Sequence, residues 1–429
     1  MSKFNLLVPM LLCIACLNIT CKDSGINIFD KSFTLTTEDA SCTEVWLRIK
    51  VGPGNTSREV TLKRDTTVLF TRTLNDLETV VIDTSLIPSH TYTYTAQLLN
   101  GSKAVNSTAH TMDTTSHNFT WQTFTLGDGI SSSSLHDVAI INDTCIWAVG
   151  EIYQGGITYN VAKWNGSAWS LYQLYYNGNN LIVPIRGIYL FGTNDIWLAA
   201  GGVFHWDGVS SQTQLSFSRL TLPDANATIE KLWGSSSSDL YGVGNAGTIV
   251  HYNGSSWTKI ESGTSLNIND IYGSWNSETG KYEILCVASN VAESFEREII
   301  KIDGIDAQIL NKNGVNYTLS SVWFKPGRKY YAVGDGLFIK SSLDQALWKD
   351  TRPSSAVWHI YKLRGRALND IVTAGGGGEI LHYNGKTWKI YYDETRLSSG
   401  NYYSIAIRGN MVIAVGENAP QAVILMGQR

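Results

Sequence analysis

The sequence predicts an all-β protein, with a small sandwich near the N-terminus followed by a seven-bladed propeller. Three observations lead there. Of 429 residues only 16% are charged, while the chain carries 39 Gly, 14 Trp and 21 Tyr. Soluble domains usually hold about 25% charged residues, so this chain turns often and buries flat rings. Apolar and polar residues alternate with period two over short runs, the pattern of half-buried strands. Beyond Thr115 seven similar runs recur: Trp147-Ala-Val-Gly150, Trp197-Leu-Ala-Ala200, Tyr241-Gly-Val-Gly244, Leu285-Cys-Val-Ala288, Tyr331-Ala-Val-Gly334, Val372-Thr-Ala-Gly375 and Ile413-Ala-Val-Gly416. Their spacing of roughly 41 to 50 residues is that of a four-stranded propeller blade.

Residues 1–21 carry one early cation, Lys3, and an apolar run from Leu6 to Leu17. The run is too short to span a bilayer and has the length of a signal h-region, so export is expected. Cys13, Cys16 and Cys21 fall in or beside it. The segment resembles a bacterial lipoprotein leader, and that resemblance implies a lipid on Cys16, after Ile14-Ala15, or on Cys21, before the polar Lys22-Asp-Ser-Gly25. The expected location is the cell surface, with the lipid as the sole membrane contact. Cys42, Cys145 and Cys286 have no metal-ligand spacing; in strand-like runs they read as buried thiols, with a Cys42–Cys145 bridge left open.

Residues 26–115 alternate with period two, as in Val45-Trp-Leu-Arg-Ile-Lys-Val51 and Val60-Thr-Leu62, broken by Gly52-Pro-Gly-Asn55 and Asn100-Gly101. Seven runs in this length fit a small antiparallel sandwich. The stretch Leu86-Ile-Pro88-Ser-His-Thr-Tyr92-Thr-Tyr94-Thr-Ala96 resembles the fibronectin type III pattern, which implies a spacer or binding module with Trp46 as a core ring.

Residues 117–429 form the repeat region. Each run leads to another strand and often to a turn such as Asn165-Gly166, Asp207-Gly208, Asn253-Gly254 or Asn384-Gly385, read here as type I′ hairpins. Trp169, Trp257 and Trp388 follow as inter-blade packing. The recurring Asp143, Asp195, Asp239 and Asp370 are read as turn residues rather than metal ligands. The last repeat is one strand short, and Phe119-Thr-Trp-Gln-Thr-Phe-Thr-Leu126 is expected to complete it, hiding both edges. The Ile-Trp-Ala-Val-Gly and His-Tyr-Asn-Gly-Ser-Ser-Trp motifs resemble secreted bacterial propellers with BNR (Asp-box) and photosystem-assembly-factor-like repeats. The likeness implies the fold and leaves function open, since this ring hosts enzymes, scaffolds and lectins.

Two regions could bind. Connections between blades, and between second and third strands, share one face and are the longer ones, at 151–159, 171–183, 209–228, 289–298 and 391–401. They carry Tyr153, Tyr175, Tyr176, Glu296, Arg297, Tyr391 and Tyr392, rings beside polar groups that suit a glycan or a protein partner. On the first strands, the position two before a shared apolar residue varies among His136, Arg186, Glu230, Asn269, Ser320, Trp358 and Tyr403, as a channel-mouth site would.

These residues favour non-catalytic binding of a glycan or protein partner by a monomer without cofactor or metal. The competing class is a carbohydrate-active enzyme using Glu230 and Asp270, two carboxylates on neighbouring strands. A sialidase would need three converging arginines, and the column supplies only Arg186. A net charge of −4 and the lack of a basic stripe exclude a nucleic-acid role.

Overall fold

The computed structural model describes residues 30–99, 103–181, 183–222, 224–290 and 296–429. The expected leader, with Cys16 and Cys21, lies outside the described residues. The described chain divides into two compact units, one of residues 30–38, 47–82 and 92–109, the other of 39–46, 83–91 and 110–429.

Seven strands lie between residues 33 and 110, starting with Phe33–Ala40 and ending with Ala104–His110. They form a three-stranded sheet in the order first, second, fifth and a four-stranded sheet in the order fourth, third, sixth, seventh. Alternation is visible in Thr91–Leu98, where Tyr92, Tyr94, Ala96 and Leu98 are buried. Trp46 is buried as well.

The chain from residue 120 onward forms seven four-stranded antiparallel sheets among the described residues. Six are consecutive in sequence. The seventh takes Gly400–Arg408, Met411–Asn418 and Gln421–Gln428 and adds Thr120–Leu126 as its outer strand. That strand pairs along its whole length, from Ala422 opposite Leu126 to Gln428 opposite Thr120. The expected closing strand is therefore in place. The first strand of each sheet packs beside the first strand of the next, and the last beside Ser134–Asn142, so they enclose a channel. Apolar layers fill the spaces between sheets, such as Ile146, Ala148, Ala162 and Trp164 against Ile413, Val415, Ile424 and Met426.

Two local readings are corrected. The Asn-Gly turns are four-residue loops: Trp164 pairs with Trp169, and only Gly166 of the two has positive φ. Asn165 Oδ1 accepts from the backbone of Ser167 and Ala168, so the side chain closes the turn. The recurring aspartates also reach beyond their turns. Asp195, Asp239 and Asp370 accept from His205, His251 and His382 at 2.9, 2.7 and 3.0 Å, tying second strands to third. Cys42, Cys145 and Cys286 are free thiols, so the Cys42–Cys145 bridge is not formed; burial pushes the Cys286 thiol well up.

Candidate functional site

The seven first strands enter the channel from the face that carries the long loops, and each begins with the same short pattern. An apolar residue is followed by a variable one, a small or polar one and a second apolar one: Leu135-His-Asp-Val138, Ile185-Arg-Gly-Ile188, Ile229-Glu-Lys-Leu232, Ile268-Asn-Asp-Ile271, Leu319-Ser-Ser-Val322, Ile360-Tyr-Lys-Leu363 and Tyr402-Tyr-Ser-Ile405. All seven variable residues, His136, Arg186, Glu230, Asn269, Ser320, Tyr361 and Tyr403, line one cavity of about 570 Å³.

In five sheets the variable residue is the extra residue of a β-bulge. Val149 pairs with Asp137 and Gly150 with Leu135, leaving His136 out of register. The same skip isolates Asn269, Ser320, Tyr361 and Tyr403. A bulge bends its strand and re-aims the unpaired side chain, here toward the channel. It also brings the incoming backbone onto the second strand. A Cβ on Gly150, Gly334 or Gly416 would stand 2.1, 2.0 or 1.9 Å from the carbonyl oxygen of Ser134, Thr318 or Asn401. The glycine that ends most of the repeated runs therefore answers this close approach.

Column assignment in the sixth sheet shifts accordingly. Trp358 lies three residues early; its ring covers Gly377 and it is 42% exposed, while Tyr361 takes the lining position. The apolar residues on both sides of Tyr361 were the signal for this register.

Around the mouth the polar groups are fixed by one another. Tyr403 donates to Glu417 at 2.6 Å and Tyr153 to Glu151 at 3.0 Å. Thr228 donates to Glu230 at 2.7 Å, with Arg186 Nε 3.9 Å from the same carboxylate. Arg186 approaches His136 Nδ1 at 3.3 Å, so Nδ1 is the acceptor and Nε2 carries the proton. That buried Nε2 has no partner among the described residues. Burial first, then the charges of Arg186 and Lys231, push the His136 imidazole down to about 3, so it is neutral. Ser320 Oγ lies 2.7 Å from His359 Nε2, and His359 Nδ1 lies 2.7 Å from Asp335.

One residue deeper, Asp137, Lys231, Asp270, Ser321, Lys362 and Ser404 form a polar belt across the channel. Ser404 donates to Asp137 at 2.6 Å and Ser321 to Asp270 at 2.6 Å. Lys362 and Arg364 both pair with Asp270, at 2.6 and 2.8 Å. Burial alone would raise the Asp270 carboxyl, but the Arg364 and Lys362 charges outweigh it and hold it well below the usual carboxylate range.

This arrangement separates the two proposed carboxylates. Glu230 opens to the mouth cavity, whereas Asp270 is fully buried in its ion pairs and borders a different cavity on the far side of the belt. The loop-face residues are scattered. Tyr391 is wholly buried, against Phe119 and Trp121 with its hydroxyl on the His117 carbonyl, because it packs under the closing strand. Tyr176 packs edge-on to Phe204, Tyr175 donates to Gln173, and Arg297 donates to the Val315 carbonyl. Tyr392 starts a one-turn helix, half-buried, and Glu296 is exposed. His136, Arg186, Glu230, Asn269, Ser320 and Tyr403, expected at the channel mouth, are brought together there.

No protein-family model matches the chain, and no curated protein sequence matches it either. Among solved structures, YCF48 bound to a D1 peptide is similar at a TM-score of 0.55 and 16% identity, over 74% of this chain and 99% of that one. YCF48 from Cyanidioschyzon merolae is similar at 0.51 and 14%, over 72% and 98%. The WD40 propeller domain of Doa1 is similar at 0.52 and 11%, over 72% and 97%. The fold is a β-propeller. At these identities the likeness carries the fold alone.

Proposed function

We propose that the protein is a binding protein that takes up a segment of a protein partner at the channel mouth. The observation that carries this reading is the convergence of seven side chains of six kinds, five of them on bulges, into one cavity of about 570 Å³. Backbone geometry repeats around the ring while the presented side chain does not, so the scaffold is uniform and the chemistry specific. Mixed charge, with Arg186 beside Glu230 and the His136 N–H unpartnered, suits a polar peptide. A solved propeller of similar fold, YCF48, is bound to a D1 peptide, which agrees with this choice. The seven sheets are read as blades of one seven-bladed ring. The seven-stranded N-terminal sandwich is read as fibronectin type III-like, supported by its strand order, and serves as a spacer. Export and a lipid on Cys16 or Cys21 rest on the leader sequence.

The test is selection from a random peptide display library with the full-length protein, run beside a glycan array. Selected peptides are expected to lose affinity by about tenfold or more in Arg186→Ala, Glu230→Gln and Tyr403→Phe, and to be indifferent to Tyr175→Ala and Tyr392→Ala. Glycan capture that depends on those loop tyrosines would sink the reading.

A second reading rests on Ser320, His359 and Asp335, whose hydrogen bonds have the order of an activated serine. Under it, Ser320 Oγ attacks the carbonyl carbon of a bound ester or amide as His359 takes its proton, and the acyl–oxygen or acyl–nitrogen bond breaks as His359 returns that proton to the departing alcohol or amine. Labelling of wild type but not Ser320→Ala by a fluorophosphonate decides for it; no labelling ends it.

A further inference from the structure

Beyond the polar belt the channel opens into a second cavity of about 400 Å³, lined by the later residues of the first strands. Ile140, Tyr189, Leu190, Trp233, Tyr272 and Ile407 form its walls. The floor is the charged part of the belt, Asp137, Lys231, Asp270 and Lys362, with Arg364 beside it. This is an apolar, partly aromatic cup over a charged base, of a size that holds one small ligand.

The charges of that base do not balance. Lys231 serves Asp137, at 3.4 Å, and its ammonium also donates to the carbonyls of His136 and Arg186. Lys362 and Arg364 share the single carboxylate of Asp270. Three cations thus face two anions, and His136, neighbouring the belt, is neutral. Buried charge is normally paired, and one positive charge here has no counterpart among the described residues. Burial and the Arg364 charge accordingly draw the Lys362 ammonium down to about 8.

The guanidinium of Arg364 shows where a partner would fit. Nη1 donates to Asp270, Ser321 and the carbonyls of Val322 and Leu363, and Nη2 donates once, to Asp270 at 2.9 Å. Nε and the second Nη2 hydrogen have no acceptor among the described residues. Those two form the side edge of the guanidinium, which matches a carboxylate bidentately. The Tyr272 ring lies against the group, 5.6 Å from Cζ to centroid, and the side chain keeps 21% exposure.

We infer that this second cavity is a binding site for an organic carboxylate with an apolar body, its carboxylate on the free edge of Arg364 and its body among Ile140, Tyr189, Trp233, Tyr272 and Ile407. The site lies across the belt from the mouth cavity, with Lys231 and Lys362 bordering both. Its carboxylate can come from a free small acid or from the end of a peptide chain, and the assay separates the two.

Full-length protein is titrated calorimetrically with 3-phenylpropionate, with 3-phenylpropionamide, and with acetyl-Ala-Ala-Phe as its acid and its amide. The acid is expected to bind at least about tenfold more tightly than its amide. Saturation by phenylpropionate alone assigns the site to a small molecule, and saturation by the peptide acid assigns it to a chain end. Arg364→Lys, which keeps the charge and loses the fork, is expected to weaken binding by about tenfold. Ala406→Phe fills the cup without touching the charges and is expected to abolish binding. Equal affinity for acid and amide, no saturation by either acid up to about 10 mM, or binding untouched by Ala406→Phe would each overturn the inference.

Discussion

The Cβ that Gly150 lacks would stand 2.1 Å from the carbonyl oxygen of Ser134, and the bulge that aims His136 into the channel begins at that contact. The repeated Trp-Ala-Val-Gly signature and the variable channel residue are thus two sides of one backbone event. A methyl group at Gly150 must displace backbone, which costs about 1–3 kcal/mol. Gly150→Ala is therefore expected to lower stability by this amount in chemical denaturation and to shift the His136 ring resonances. In the fourth sheet Ala288 occupies the equivalent place opposite Ile268, so Ala288→Gly is expected to have a smaller effect there.

Asp270 holds Lys362 and Arg364 together. Removing its charge leaves two buried cations facing each other, a loss of about 3–5 kcal/mol. Asp270→Asn is expected to show that loss in equilibrium unfolding, and Asp270→Asn with Lys362→Met to recover part of it. An Asp270→Asn protein as stable as wild type would remove the belt as a structural element.

His136 is neutral in the folded protein because burial and two nearby cations push it down to about 3, whereas in the unfolded chain it titrates near 6.5. The native state keeps its full stability above about pH 6.5 and loses it progressively as pH falls toward 3, by about 2–4 kcal/mol from this group. His117, pushed down to about 4 chiefly by burial, acts in the same direction. Ring proton shifts of His136 are expected to stay flat between pH 7 and 4; a midpoint near 6.5 would refute the assignment. His136→Gln should flatten the stability profile over the same interval.

Trp121 on the closing strand lies opposite Gly427, and a Cβ there would come within 2.3 Å of its ring. Trp121→Ala is expected to cost about 2–4 kcal/mol and Gly427→Ala about 1–3 kcal/mol. Together they should cost less than their sum, because removing the ring makes room for the methyl. A double-mutant cycle in urea measures this coupling, and strict additivity would mean that the ring does not rest there.

Much of this architecture is written in short-range signals. Runs ending in glycine or alanine and spaced like blades locate the second strand of each sheet, and a sheet missing its outer member points to the residues around Trp121. The channel column is visible as well, since apolar residues flank each variable one. Where only one flank is considered, register in the sixth sheet slips from Tyr361 to Trp358, both aromatic and both near an apolar residue. Side-chain destinations were less legible. Tyr391 sits in a long polar connection and reads as a surface ring, but it packs under a strand some 270 residues earlier, to which its hydroxyl bonds through His117. Asp270 and Glu230 are neighbours by strand count, yet alternate positions of a strand face different surroundings, and one residue of register divides a buried ion pair from an open cavity. The Asp–His ties between second and third strands span ten to twelve residues across a hairpin, beyond the reach of a reading that looks within a turn.

The closing strand also has a consequence in time. Gln421 donates to the Gly127 carbonyl across 294 residues of sequence, next to the pairing that completes the ring. At about 5–20 residues per second of synthesis, residues 120–126 emerge on the order of fifteen seconds to a minute before their partner strand exists. Throughout that interval one sheet edge is unclosed and able to join a neighbouring chain, and such distant pairing is slow to find. A half-made ring thus keeps an unpaired strand edge until its last residues have been made.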